Sequence, residues 1–172
     1  VIEFTDPAAA NVQAGVVAGP AFTSGASSRT VTLGTAVDLS RTFVLVTATN
    51  PIDVGSSDHL GKVVVSGRLS NSNTLVLERS VTGVALARVQ YQVIELKEGS
   101  SVQSGTATIT GGNASATAAL SPIDATRSSA VASGQYASGL GFGASSDTTS
   151  DNPGNASFAM SVASNQLTLT RN

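Results

Sequence analysis

The chain has 172 residues, nine Lys or Arg against eleven Asp or Glu for a net charge of −2, and neither cysteine nor Trp. Its basic residues are scattered singly, which excludes an electrostatic footprint for nucleic acid, and the missing thiols exclude disulfides, thiolate metal sites and a cysteine nucleophile. Charged residues make up only 12%, against about a quarter in a typical soluble domain, so much of the surface is expected to be covered by neighbouring subunits or glycans.

Residues 1–22 open on Val1-Ile2-Glu3-Phe4 and continue through Val12, Val16, Val17 and Phe22, with no charge between Asp6 and Arg29. That pattern reads as an apolar arm suited to burial, with Pro7 and Pro20 as hinges. A chain opening on Val1 fits either a removed leader, with export, or a fragment boundary, although no signal-peptide pattern is present. No apolar run reaches the roughly 18 residues that a membrane span needs.

Residues 23–96 form the first expected β unit. Period-two alternation at 30–33, 42–46, 74–77 and 88–94 predicts strands with one buried face, and Ser/Gly/Asn/Asp clusters at 23–28, 55–58 and 70–73 predict turns. Residues 97–172 form the second unit, with strands predicted at 106–109 and 167–170 and a turn at 111–113. The stretches 39–47 and 125–133 both read as strand, and no amphipathic helix is evident. Strands about ten residues apart with turn punctuation predict an all-β fold: two related sandwich-like units (Ig-like or jelly-roll-like) in tandem, preceded by a donor strand.

The two units are one pattern written twice. Val1-Ile2-Glu3-Phe4 returns as Val93-Ile94-Glu95-Leu96, Val12-Gln13-x-Gly15 as Val102-Gln103-x-Gly105, Asp38-x-x-Arg41 as Asp124-x-x-Arg127, and Asn73-x-Leu75-x-Leu77-x-Arg79 as Asn165-x-Leu167-x-Leu169-x-Arg171. The long strand-like run at 84–96 has no counterpart after Arg171. A sheet lacking that strand exposes unpaired N–H and C=O groups, each costing about 1–3 kcal/mol if buried unmet. The expected remedy is an incoming strand: Val1, Ile2, Phe4, Val12, Val16, Val17 and Phe22 as donor, against an acceptor edge at Leu167 and Leu169.

These motifs together resemble the tandem β repeats of bacterial and phage surface or structural proteins. Pili assembled by donor-strand exchange offer the matching assembly principle. The resemblance implies a structural subunit of an extracellular, cell-surface filament, pilus-like or of a biofilm matrix, with further copies of itself as partner and no cofactor. Two other readings are a virion tail or decoration protein and a carbohydrate-binding module using the loops 50–61 and 138–155, the latter disfavoured by scarce aromatics.

Catalytic chemistry is not expected. Ser56-Ser57-Asp58-His59 are too close in sequence for triad geometry, and a duplicated Asp/Arg pair suits a turn better than a reaction. Asp147, Asp151, Asn152 and Asn155 offer oxygens but not the spacing of a calcium loop, so no metal is expected. The glycines at 139–143 lack the strand-to-helix context of a dinucleotide site. Asn113-Ala-Ser115 and Asn155-Ala-Ser157 are sequons that make Asn113 and Asn155 candidate glycosylation sites.

Overall fold

A computed structural model describes residues 9–51, 60–110, 112–135 and 158–171. Its strands are β1 (Ala10–Phe22), β2 (Ser28–Thr32), β3 (Thr42–Pro51), β4 (Ser66–Asn71), β5 (Thr74–Glu78), β6 (Leu86–Leu96), β7 (Ser115–Ala119), β8 (Phe158–Ala163) and β9 (Gln166–Arg171). The helical content described is one α-turn, α1 (Leu60–Val63), and two 3-10 turns at Leu39–Arg41 and Ala125–Arg127. The fold is all-β. Strands pair antiparallel in three sheets of three, ordered β1-β6-β3, β2-β5-β4 and β7-β9-β8.

The first two sheets share one hydrophobic cluster. Period two sends Leu75 and Leu77 of β5 to one face, where both are fully buried, and they meet Val89 and Val93 of β6 together with Val17 and Phe22 of β1. Full burial of each such side chain contributes about 1.5–3 kcal/mol. Gly67 on β4 faces Val44 and Val46 so closely that any Cβ would collide with them. Arg79, only 2% exposed, closes the end of this core. Its guanidinium donates to the carbonyls of Ala26, Lys62, Val84 and Thr23 at 2.7–2.9 Å and lies 5.2 Å from the Phe22 ring centroid. Burial pushes its pKa down. Five hydrogen-bond donors in a planar fork suit Arg to this task.

β6 is the central strand of its sheet. From Leu86 to Leu96 it pairs with β1 on one side and β3 on the other, so that Val93 faces both Gln13 and Val44. Residues 10–22 are therefore not the free arm expected of them, and they belong with the unit expected to begin at residue 23. Val17 and Phe22 are buried in the core of their own chain, while Val12 and Val16 point outward at 51% and 53% exposure. Alternation at 10–18 fits a strand beside β6 as well as an arm, and the partner lay within reach. At the bulge after Ala18, Gly19 takes φ 66, and Pro20 is tolerated because β1 is an edge strand.

Other expectations shift too. Residues 39–41 and 125–127 turn as 3-10 segments before any strand begins. Residues 106–109 and 128–133 carry no strand. Strands β4, β7 and β8, rich in Ser, Ala and Gly, were not anticipated.

Candidate functional site

The second half repeats several of the local hydrogen bonds of the first. In the first half, Leu33 N–H donates to Asn73 O and Val37 N–H to Ser72 O; in the second, Leu120 N–H donates to Asn165 O and Ile123 N–H to Ser164 O, all at 2.7–2.9 Å. The Gln13 side-chain amide brackets Thr35 by donating to its carbonyl and accepting from its N–H, and Gln103 brackets Ser121 identically. Arg79 N–H bonds Ser27 O as Arg171 N–H bonds Ala114 O. The sheets β2-β5-β4 and β7-β9-β8 are thus the same object, with Leu75 and Leu77 answered by Leu167 and Leu169.

What covers them differs. Leu75 and Leu77 are fully buried, whereas Leu167 and Leu169 are only partly buried and share their face with Ala116, Ala118, Met160 and Val162. No described residue after Ile94 is buried. Residues 102–110 and 128–135, which repeat β1 and the start of β3, have no strand between them and form no ladder. In the first half that place is held by β6. Two strands that each need the same middle strand form no ladder without it, because the N–H and C=O groups that would face it have no strand to bond.

The duplicated corners show the same omission. Asp38 accepts from Ser40 N–H at 2.9 Å, from the Ser40 hydroxyl at 2.6 Å and from Arg41 Nε at 3.0 Å. One oxygen of Glu95 on β6 then accepts from Asp38 N–H at 3.0 Å and from Arg41 Nη2 at 3.3 Å. Asp124 keeps the cap, accepting from Thr126 N–H and hydroxyl at 3.0 and 2.6 Å. No described residue accepts from Asp124 N–H or from the Arg127 guanidinium. The Ser40 hydroxyl, followed by the Ser40 N–H and Arg41, holds the Asp38 carboxyl below its ordinary pKa, and the Thr126 hydroxyl and N–H do the same for Asp124.

Leu167 and Leu169 do not form a backbone edge. They sit on β9, paired on both sides by β7 and β8, so what is incompletely covered is their face, not an edge. Val1, Ile2 and Phe4 lie outside the described residues, as do His59, the oxygen-rich loop from Asp147 to Asn155, and the greater part of both long loops. Asn113 is exposed, with its side-chain amide donating to Thr110 Oγ1 at 2.9 Å. Among the described residues no three His, Cys, Asp or Glu side chains cluster, and no helix is long and apolar enough to cross a membrane. Glu95 was missed as a key residue; its signal was the acidic residue shared by the Val-Ile-Glu repeats.

Comparison with family models, with characterised proteins and with solved structures returns no match.

Proposed function

We propose that this protein is a structural subunit of an extracellular filament, pilus-like or of a biofilm matrix, built from related β-sandwich units. Copies join head to tail when a strand from one completes the second half of the next. One observation carries the reading: β6 pairs with strands on both its sides in the first half, and in the second half both segments that repeat its neighbours carry no strand while the apolar face of β9 is only partly buried. Supply of a strand with β6-like chemistry would convert two segments and a sheet face together, a larger gain than adding a strand to an existing edge. A contact of this kind between unlike surfaces does not close on itself and generates a helical fibre. β1 is held in its own sheet, so residues 10–22 do not serve as that strand.

Electron microscopy of the purified chain at rising concentration tests this reading. Fibres or short head-to-tail oligomers are expected, and an excess of a synthetic peptide with the β6 sequence (Leu86–Leu96) is expected to cap them. Monodisperse particles at every concentration, with no peptide binding, would sink the proposal.

A further inference from the structure

We infer that the second half selects the strand it accepts by two side chains: an aromatic ring laid over Gly105, and a carboxylate, spaced from it as Glu95 is from Tyr91, held by Asp124 N–H and the Arg127 guanidinium. This rests on the complementation reading above and names the chemistry of the occupant, an extended peptide strand of the β6 type.

The first half supplies the template. Tyr91 pairs with Gly15, and a Cβ at Gly15 would collide with the Tyr91 ring and hydroxyl. Glu95 lies opposite Asn11 and Thr42, and one of its carboxylate oxygens accepts from Asp38 N–H at 3.0 Å and from Arg41 Nη2 at 3.3 Å. The second half repeats both receiving sites. Gly105 stands in the same Val-Gln-x-Gly motif, with no atom within 4 Å of the position its Cβ would take. The Asp124 cap is made, and the Ser128 hydroxyl donates to Asp124 O at 2.7 Å as the Thr42 hydroxyl does to Asp38 O at 2.6 Å. That corner is already shaped, and its two remaining donors have no acceptor among the described residues.

The interior between these sites is matched in size for closure. Met160 lies opposite Leu169 as Gly67 lies opposite Leu77, so Met160 stands where Gly67 admits Val44 and Val46. Counted from Asp124 as those valines are from Asp38, the repeat places Ala130 and Ala132 at their positions. Gly to Met adds as many heavy atoms as two Val-to-Ala exchanges remove, the volume-conserving kind of swap that a packed core tolerates best. That compensation serves a closed state in which residues 128–135 pack on β8 as β3 packs on Gly67 of β4. Carrying the β6 register across the repeat then sets the aromatic residue between Gly105 and Ala132 and the carboxylate between Ser101 and Ser128. A strand lacking the ring leaves a void over Gly105, and one lacking the carboxylate forgoes charge-assisted bonds to Arg127 and Asp124 N–H. A slip of one residue turns both side chains to the wrong face.

Binding of a labelled β6 peptide (Leu86–Leu96) to the full chain, read by fluorescence anisotropy, tests the assignment. Peptides carrying Tyr91→Ala or Glu95→Gln should each bind about tenfold more weakly or worse, equivalent to about 1.4 kcal/mol. In the chain, Gly105→Val meets open space without the peptide. It should weaken the unaltered peptide by a similar factor and the Tyr91→Ala peptide hardly at all. Arg127→Ala should likewise weaken the unaltered peptide and spare the one carrying Glu95→Gln. As a second measurement, amide exchange should slow at 102–110 and 128–135 when the peptide binds. Equal affinity of the three peptides, or a Gly105→Val chain that loses all of them alike, overturns the selection and leaves complementation standing. Slowed exchange confined to the first half overturns the placement of the strand in the second. No binding of any peptide overturns complementation, and the selection with it.

Discussion

The two halves of the chain share their turns, caps and hairpins but differ in having a core. In the first half, β6 lies between β1 and β3 and its inward residues Val89 and Val93 bury Leu75 and Leu77. In the second, the hairpin β8–β9 and strand β7 reproduce β4, β5 and β2, yet their apolar face is only partly buried. Local hydrogen bonds within a repeat therefore form without the middle strand. The second sheet and the closed core do not, because both depend on a strand that pairs twice.

Paired substitutions at equivalent positions sharpen this contrast. The largest effect is expected for Arg79→Ala, which strands four carbonyls in the core and should lower stability by about 3–5 kcal/mol in chemical denaturation. Arg171→Ala, its repeat counterpart, should change stability by less than about 0.5 kcal/mol in the monomer. Equal effects would break the comparison. Leu75→Ala should cost about 2–5 kcal/mol through cavity formation. Leu167→Ala should have little effect on the monomer's stability but weaken binding of the β6 peptide.

A smaller difference is expected at the repeated glycines. Gly15 lies directly beneath the Tyr91 ring, so Gly15→Ala must displace that side chain and should lower stability by about 1–2 kcal/mol. Gly105 has no neighbouring atom near a substituted Cβ, and Gly105→Ala should be neutral or slightly stabilising. Adding the β6 peptide should bring the two glycines closer in sensitivity.

Acid titration is expected to show the smallest effect. Asp38 and Asp124 both have depressed pKa values in the fold. Their contribution is present above the ordinary carboxylate pKa and is lost as pH falls through the lower, folded value. Melting temperature should accordingly drop on acidification below the usual carboxylate range. Asp38→Asn should flatten that drop more than Asp124→Asn, because the first-half corner also anchors β6 through Arg41 and Glu95. A drop unchanged in both variants would show that the caps do not couple to stability.

Strands β2, β3, β5, β6 and β9 were readable because β-branched and Leu residues alternate along them. β4, with Ser-Gly-Arg-Leu-Ser-Asn, carries no such signal and is a strand because β5 templates it, as β9 templates β7 and β8. Thr106-Ala107-Thr108-Ile109 alternates well and yet is irregular, having no middle strand to pair with. Asp38 and Asp124 both cap their corners and Arg41 pairs with Asp38, whereas Arg127 makes no such pair among the described residues; the carboxylate that completes the first corner comes from more than fifty residues away.

By itself, the sequence determined the all-β character, the twofold repetition, the caps and the hairpin turns, since each rests on side chains within a few residues of the backbone they satisfy. Only the tertiary structure decided that residues 10–22 belong to the first half's own sheet, that Arg79 seals the core, and that β9 is an inner strand whose face, rather than its edge, is open. Those outcomes depend on which distant backbone reaches which unpaired N–H and C=O first. Alternation along a strand marks it as able to pair without specifying its partner.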